Sequence, residues 1–300
     1  MIVRVLGSAA GGGVPQWNCA CANCSAARAG AMPRRTESSL AVSADGERWL
    51  LLNCSPDVAA QIEAFAPLHP RPPRATPISG MLFTDANVDH IGGLAVLRQR
   101  GPAFVIRSSA VVRDIATAQP AFAPFAQPPH RWLDVPLDAE CEPAGDGDLA
   151  GSSLSVRALA VPGTTPGYDG RRELRGAVVA YEIARRGSED RLLFAPVFSA
   201  VDAGLAAAIA RARVAVLDGT FYGDDEMIAA GLMDKRARAL GHQPVAGEDG
   251  TLAALRGVRT RVIFTHLNNS NPMLDETTPA FARVREAGAE IAHDGMELRL

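Results

Sequence analysis

The sequence predicts an α/β domain of mixed sheets with helices on their outer faces. Three observations lead there. Short apolar, β-branched runs recur along the 300 residues. The early runs follow one another as hairpins, and the later ones alternate with helical patterns, which places helices outside the sheets.

Strand patterns fall at residues 2–6, 39–43, 49–53, 79–84, 104–107, 154–159, 177–183, 191–195, 214–218, 261–265 and 290–300. Helical patterns fall at 56–65, 94–100, 110–118, 202–212, 251–256 and 279–287. Asp45-Gly46-Glu47 supplies a hairpin turn. The proline-rich stretches 67–77 and 120–136 read as loops, because proline lacks an N–H and breaks ladders and helices alike. No fixed-period repeat, Gly/Ser linker or charge block divides the chain, so residues 1–300 are expected to form one domain.

Apolar residues at 47% and charged residues at 21% suit a globule with a full core. A net charge of −3 and a pI near 6.1 give no general pull toward nucleic acid or anionic lipid. The expected partner is therefore a small molecule or a peptide, with a homodimer left open. The N-terminal apolar run is too short for a signal peptide and no later segment could span a bilayer, so the expectation is a cytoplasmic chain without membrane insertion. Of five cysteines, Cys19, Cys21 and Cys24 crowd into six residues, while Cys54 and Cys141 stand alone and read as free thiols.

The chemistry concentrates at 83–94, Phe-Thr-Asp-Ala-Asn-Val-Asp-His-Ile-Gly-Gly-Leu. Asp89-His90 followed by Gly92-Gly93 resembles the end of the His-x-His-x-Asp-His-x-Gly-Gly signature of the metallo-β-lactamase fold, with the first two histidines replaced by Asp85 and Asn87. Further landmarks follow in order. Val-Pro-Gly-Thr-Thr-Pro-Gly at 161–167 resembles the second metal stretch, with Thr164 where a histidine usually stands. The strand at 191–195 runs into Pro196-Val197, where a bridging aspartate is usual, and Val-Ile-Phe-Thr-His ends on His266. The resemblance implies an αββα sandwich, two mixed sheets with helices outside.

In that fold one metal takes three histidines and a second takes an aspartate and two histidines. Here the first set reads Asp85, Asn87 and Thr164, and the second, Asp89, His90 and His266, is intact. Two histidines and one carboxylate match the facial arrangement of non-haem Fe²⁺, with positions open for substrate and dioxygen. The rival is an oxygen-rich site in which Asp85 joins Asp89 around Mg²⁺ or Mn²⁺ for Lewis-acid hydrolysis. The plainer readings are a polar turn capping a helix and satisfied core histidines. Asp85 and Asn87 are carried as candidate catalytic residues, together with Asp218 at a strand tip and His242 in a loop. His242 is placed to act as acid or base, or as a further ligand, with Asp218 orienting it. His69, His130 and His293 read as surface residues.

Cys19-x-Cys21-x-x-Cys24 suits tetrahedral Zn²⁺ in a knuckle at about 15–30, a structural site more than an open one. Its fourth ligand is missing. Similar loops in phosphonate-pathway phosphodiesterases of this fold use a histidine three residues after the last active-site histidine, which here is Asn269; His266, His242 or an acid are the alternatives. The glycines at 11–13 match neither G-x-G-x-x-G nor a P-loop.

Taken together, residues 7–24, Arg35-Thr-Glu-Ser-Ser, Asn53-Cys-Ser-Pro-Asp, the 85–94 loop, Asp218-Gly-Thr-Phe, Gly241-His242 and Thr265-His-Leu-Asn-Asn-Ser-Asn-Pro resemble the pyrroloquinoline quinone (PQQ) biosynthesis protein B family across nearly the whole chain. The resemblance implies a structural zinc and a step in making the quinone from a Glu–Tyr unit, with iron- and oxygen-dependent hydroxylation of the tyrosine ring. It also carries a second reading, an indirect role in transport of PQQ or its precursor to the periplasm. Arg34 and Arg35 are candidates to pair with substrate carboxylates.

Overall fold

The computed structural model describes residues 1–99, 101–141 and 153–300. Two seven-stranded sheets face each other. The first holds β1 (Ile2–Gly7), β2 (Ser39–Ser43), β3 (Trp49–Leu52), β4 (Ile78–Leu82), β5 (Val105–Ser108) and β6 (Arg131–Asp134) in sequence order, with β14 (Glu297–Arg299) beside β1. The second holds β7 (Glu140–Cys141), β8 (Leu154–Ala160), β9 (Val179–Arg185), β10 (Arg191–Ala195), β11 (Val214–Asp218), β12 (Arg261–Thr265) and β13 (Glu290–Ile291) in reverse order. Both are mixed. Strands β1–β3 are antiparallel and β3–β6 parallel, while β7–β10 are antiparallel and β10–β13 parallel.

Alternation along the strands explains the layers. Leu50 and Leu52 of β3 and Leu40 and Val42 of β2 point between the sheets, where they meet Tyr181, Phe194, Val216 and Ile263. Their neighbours Trp49 and Leu51 point outward, against Val58 of α2 (Val58–Glu63), Leu94 of α4 (Gly93–Val96) and Val112 and Ile115 of α5 (Ala110–Thr117). On the other side Leu193, Ala215, Leu217 and Phe264 pack under α6 (Ala203–Arg211) and α9 (Pro279–Glu286). Strands buried on both faces must be apolar throughout, which is why these runs do not alternate with polar residues. Each buried Leu, Val or Phe contributes roughly 1.5–3 kcal/mol. Short helices α1 (Ala22–Arg28), α3 (Val88–Ile91), α7 (Glu226–Ala229) and α8 (Thr251–Ala254) sit in the connections.

Four expectations need correction. The 120–136 stretch is not all loop. Its residues Arg131–Asp134 form edge strand β6, held by Trp132, which is buried 5.6 Å from Phe83 and donates its indole N–H to Ser108 Oγ at 2.8 Å. The single strand expected at 290–300 is two strands in different sheets. A turn carrying Asp294 and Gly295 separates them, and Asp294 accepts from Thr36 N at 2.6 Å and Ser8 Oγ at 2.7 Å. His130 and His69, expected at the surface, are half-buried; His130 stacks on Phe104 at 5.6 Å, and burial lowers its pKa. The helix expected at 94–100 ends at Val96, and Arg100 and the Cys141 side chain lie outside the described residues. No helix among the described residues is long and apolar enough to cross a membrane.

Candidate metal centre and pocket

The metal loop leaves β4 where the two sheets are tied together. Tyr181 of β9 donates its hydroxyl to Phe83 O at 2.9 Å, and Val179 N–H donates to Thr84 O at 2.8 Å. Beyond the loop, α3 and α4 press onto residues 54–55. A Cβ at Gly93 would lie 2.3 Å from Ser55 O and 2.6 Å from Cys54 Sγ, so the chain passes there only as glycine. That approach lets Cys54 N–H donate to His90 O at 2.7 Å, which fixes the backbone under His90. Cys54 itself is a buried thiol whose pKa burial raises.

His90 is fully buried, and its Nδ1 is 2.6 Å from Asp85 Oδ2. Asp85 also accepts from Thr84 Oγ1 and from the backbone and side-chain N–H groups of Asn87. Asp85 is therefore sealed behind the imidazole with its lone pairs spent, and it does not line the pocket. It orients His90 and does not join Asp89 in an oxygen-rich set. The other ring nitrogen, Nε2, is buried with no hydrogen-bond partner, 3.8 Å from Asp89 Oδ2. Asp89 Oδ2 lies 3.2 Å from His266 Nε2, and the ligand atoms of Asp89, His90 and His266 all fall within 4.8 Å of one another. A buried ring nitrogen aimed at nothing is costly unless a cation belongs there, and this donor set fits a divalent transition metal. Burial would lower the His90 pKa, but Asp85 and Asp89 outweigh it and lift the value to about 9. Burial likewise opposes the Asp89 charge, and His90 and His266 hold that carboxyl well below its usual range.

His266 ends β12 with φ +58°, a left-handed conformation unusual for a side-chain-bearing residue. It is kept there by flanking bonds: Gly219 N–H to Thr265 O at 2.8 Å, Leu267 N–H to Ser8 O at 2.9 Å and Asn268 N–H to Thr220 O at 3.0 Å. Its Nδ1 meets Thr220 Oγ1 at 2.8 Å, and that hydroxyl donates to Asp218 Oδ1 at 2.6 Å. Asp218 Oδ2 takes His242 Nδ1 at 2.7 Å. The buried carboxyl stays charged: burial opposes it, and His242 and His266 outweigh burial. All three histidines thus spend Nδ1 on a carboxylate, directly or through a hydroxyl; His242 and His266 line the pocket, and the fully buried His90 does not. Asp218, His242 and His266 also form a second close trio that shares His266 with the first.

These groups border a pocket of about 220 Å³, lined by Asn87, Asp89, His242 and His266 among others. Asn87, Thr164 and Val197 also line it, so the positions that would hold a second metal offer an amide, a hydroxyl and a methyl-bearing side chain. Asp89, His90 and His266 equip one of the two family positions with histidines; the other has none, and the Asp218–His242–His266 trio lies beside them.

The thiols of Cys19, Cys21 and Cys24 converge within 4.8 Å, with Cys21 capping α1. Gln16 N–H and Cys21 N–H point at Cys24 Sγ and Cys19 Sγ, at 3.3 and 3.4 Å. Burial, foremost, pushes Cys24 up to about 11. For Cys21 burial acts the same way, yet hydrogen bonds from the Cys24 backbone and the neighbouring thiols bring its pKa down. The fourth side is covered by the Asn269 amide, 3.1, 3.5 and 3.4 Å from the three sulfurs. His266 does not reach this cluster and stays with Asp89. Asn23 Nδ2 donates to Asn269 O at 2.9 Å and Asn271 O at 3.0 Å, lacing α1 to the turn that follows His266.

Arg34 and Arg35 do not line the pocket. Arg35 donates through Nη1 to Ser8 Oγ at 3.0 Å and to Ala292 O, bracing the Asp294 turn. Sequence reasoning missed Glu37, whose Oε1 holds Gly12 N–H at 2.6 Å while buried Oε2 has no partner. Burial, with Asp89 and Asp57 nearby, pushes it up to about 7. It missed Arg171 too, hidden in the charged run 169–175, which reads as solvated surface.

A family model described as the β-lactamase superfamily domain matches residues 48–267. Coenzyme PQQ synthesis protein B of Methylobacterium nodulans is 41% identical over 99% of both chains, and that of Methylococcus capsulatus is 38% identical over the full length of both. The crystal structure of Zn²⁺-bound PqqB from Methylobacterium extorquens superposes with a TM-score of 0.92 at 39% identity, covering all of each chain. On this evidence the chain belongs to the coenzyme PQQ synthesis protein B family, within the metallo-β-lactamase superfamily.

Proposed function

We propose that this chain acts in PQQ synthesis as a metal-dependent oxygenase that hydroxylates the tyrosine ring of a Glu–Tyr-derived intermediate. The observation that carries the reading is the partnerless, buried His90 Nε2 converging with Asp89 Oδ2 and His266 Nε2, beside a second metal position with no histidine left. Fe²⁺ bound there would supply open positions at which dioxygen and a phenol can meet. The chain's own residues do the rest. Asp85 fixes the His90 ring, and Thr220 and Asp218 fix those of His266 and His242. His242 presents Nε2 toward the pocket as a proton acceptor for the phenol. Zn²⁺ would sit among Cys19, Cys21 and Cys24 in a structural role, with the Asn269 side-chain N–H groups directed at the sulfurs.

The same Asp218–His242 pair would also serve a hydrolase, and oxygen dependence separates the two. The metal-stripped chain is first given one equivalent of Zn²⁺ for the thiol cluster, then loaded anaerobically with Fe²⁺ and given Glu–Tyr, oxygen and ascorbate as reductant. The expected result is oxygen uptake and a product heavier by one oxygen atom, both abolished by Asp89→Ala. Anaerobic ester cleavage with Mn²⁺ or Zn²⁺ and no oxygen uptake would favour the hydrolase.

A further inference from the structure

The loop beside the pocket carries a cation that the metal chemistry does not use. Residues 165–172 are cross-braced: Thr165 N–H donates to Arg172 O at 2.9 Å, and Arg172 N–H returns to Thr165 Oγ1 at 2.9 Å. Tyr168 anchors the apex through its hydroxyl to Ala86 O on the metal loop. The arginines nearby are paired with acids, Arg172 with Asp169 at 2.6 Å and Arg175 with Asp138.

Arg171 differs from both. It lines the pocket with Asn87, Asp89 and His242 and is the one Arg or Lys among the described residues that do. Its backbone φ is +53°, a left-handed conformation that side-chain-bearing residues rarely adopt. The brace holds it there and so sets the direction of the side chain. Nη1 donates to Leu240 O at 3.2 Å, across the pocket wall. Nε and Nη2 lie 3.8 and 4.0 Å from the point where a Cβ on Gly167 would stand, so the guanidinium lies against that glycine. No carboxylate pairs with it among the described residues. A guanidinium has five N–H donors in a planar fork, and one is spent on Leu240.

We propose that Arg171 is the substrate's carboxylate anchor, so that the pocket selects small molecules bearing a carboxylate in addition to the group presented to Asp89, His90 and His266. This rests on the small-molecule reading above and narrows it to a substrate class. A planar carboxylate meets the arginine fork with two parallel hydrogen bonds, which lysine cannot reproduce. A phosphate monoester offers similar acceptors, and the test separates the two.

The experiment is calorimetric titration of the full-length, Zn²⁺-loaded chain, in which binding is read without turnover. The probes are Glu–Tyr and the same dipeptide with its carboxylates amidated. The parent is expected to bind the free acid at least tenfold more tightly than the amide. Arg171→Gln should erase that preference and Arg171→Lys should retain part of it, with metal content and thermal midpoint unchanged. The amide comparison needs no variant, so it stands even if a variant folds poorly. Equal affinity of the parent for both ligands, or Arg171→Gln binding the acid as tightly as the parent, overturns the proposal. Glutarate is expected to compete better than inorganic phosphate; the reverse order would assign the anchor to phosphates and overturn the carboxylate class. Arg171-dependent binding without oxygen uptake in the Fe²⁺ assay would sink the hydroxylation reading and leave the anchor standing.

Discussion

Each imidazole of the site is held by its Nδ1, and for His90 the holder is a fully buried carboxylate. The consequence is a proton tied to metal binding. In the metal-free chain the two neighbouring aspartates, acting against burial, raise His90 to about 9 from an ordinary 6.5. A metal takes only the neutral nitrogen, so binding below that value must displace a proton. Apparent affinity for Co²⁺, measured by chelator competition, should climb by about tenfold per pH unit from pH 7 and level off above about 9; a flat profile would contradict the pairing. The same linkage gives the metal-free fold a stabilisation fully present below pH 6.5 and lost as pH rises through about 9. Asp85→Asn keeps an acceptor and removes the charge. It should move the plateau to lower pH and weaken metal binding by about 10–100-fold.

Among the elements, the strands were the most legible. The ranges 39–43, 191–195, 214–218 and 261–265 are reproduced to the residue, because strands buried on both faces are written as unbroken apolar runs. Less legible were elements whose stability comes from elsewhere in the chain. β6 follows a proline-rich stretch and exists because Trp132 finds Phe83 and Ser108, far away in sequence. α1 spans only Ala22–Arg28 and is read in sequence as a metal loop. Asp89 and His90, read from the 83–94 motif and found in α3, and His266, just past β12, have ligand atoms within 4.8 Å of one another. Asp85 was legible in position but not in role, because nothing local shows that its oxygens are taken by His90, Thr84 and Asn87. Gly93 is where element packing controls the site. Gly93→Ala should cost about 1–3 kcal/mol in denaturant unfolding. It should also reduce metal retention, because the displaced turn carries the His90 carbonyl that Cys54 holds. Unchanged stability would mean that residues 54–55 yield freely.

Across the whole molecule, antiparallel hairpins and parallel crossovers bring the ends of β4, β8, β11 and β12 to one edge of the sandwich, and the pocket forms there. The cysteine loop, although it follows β1, reaches the same edge through Asn23, which grips the backbone at Asn269 and Asn271 just past His266. Those two bonds imply an order of reconstitution. A chelator that strips the thiols also frees the turn whose first residue is the last ligand of the other centre, so apoprotein given ferrous ion alone should fill poorly. Zinc supplied first should restore full iron uptake, and Cys21→Ser should lower iron content although residue 21 is no part of that centre. Iron stoichiometry that ignores the sequence of addition would show the two centres to be independent.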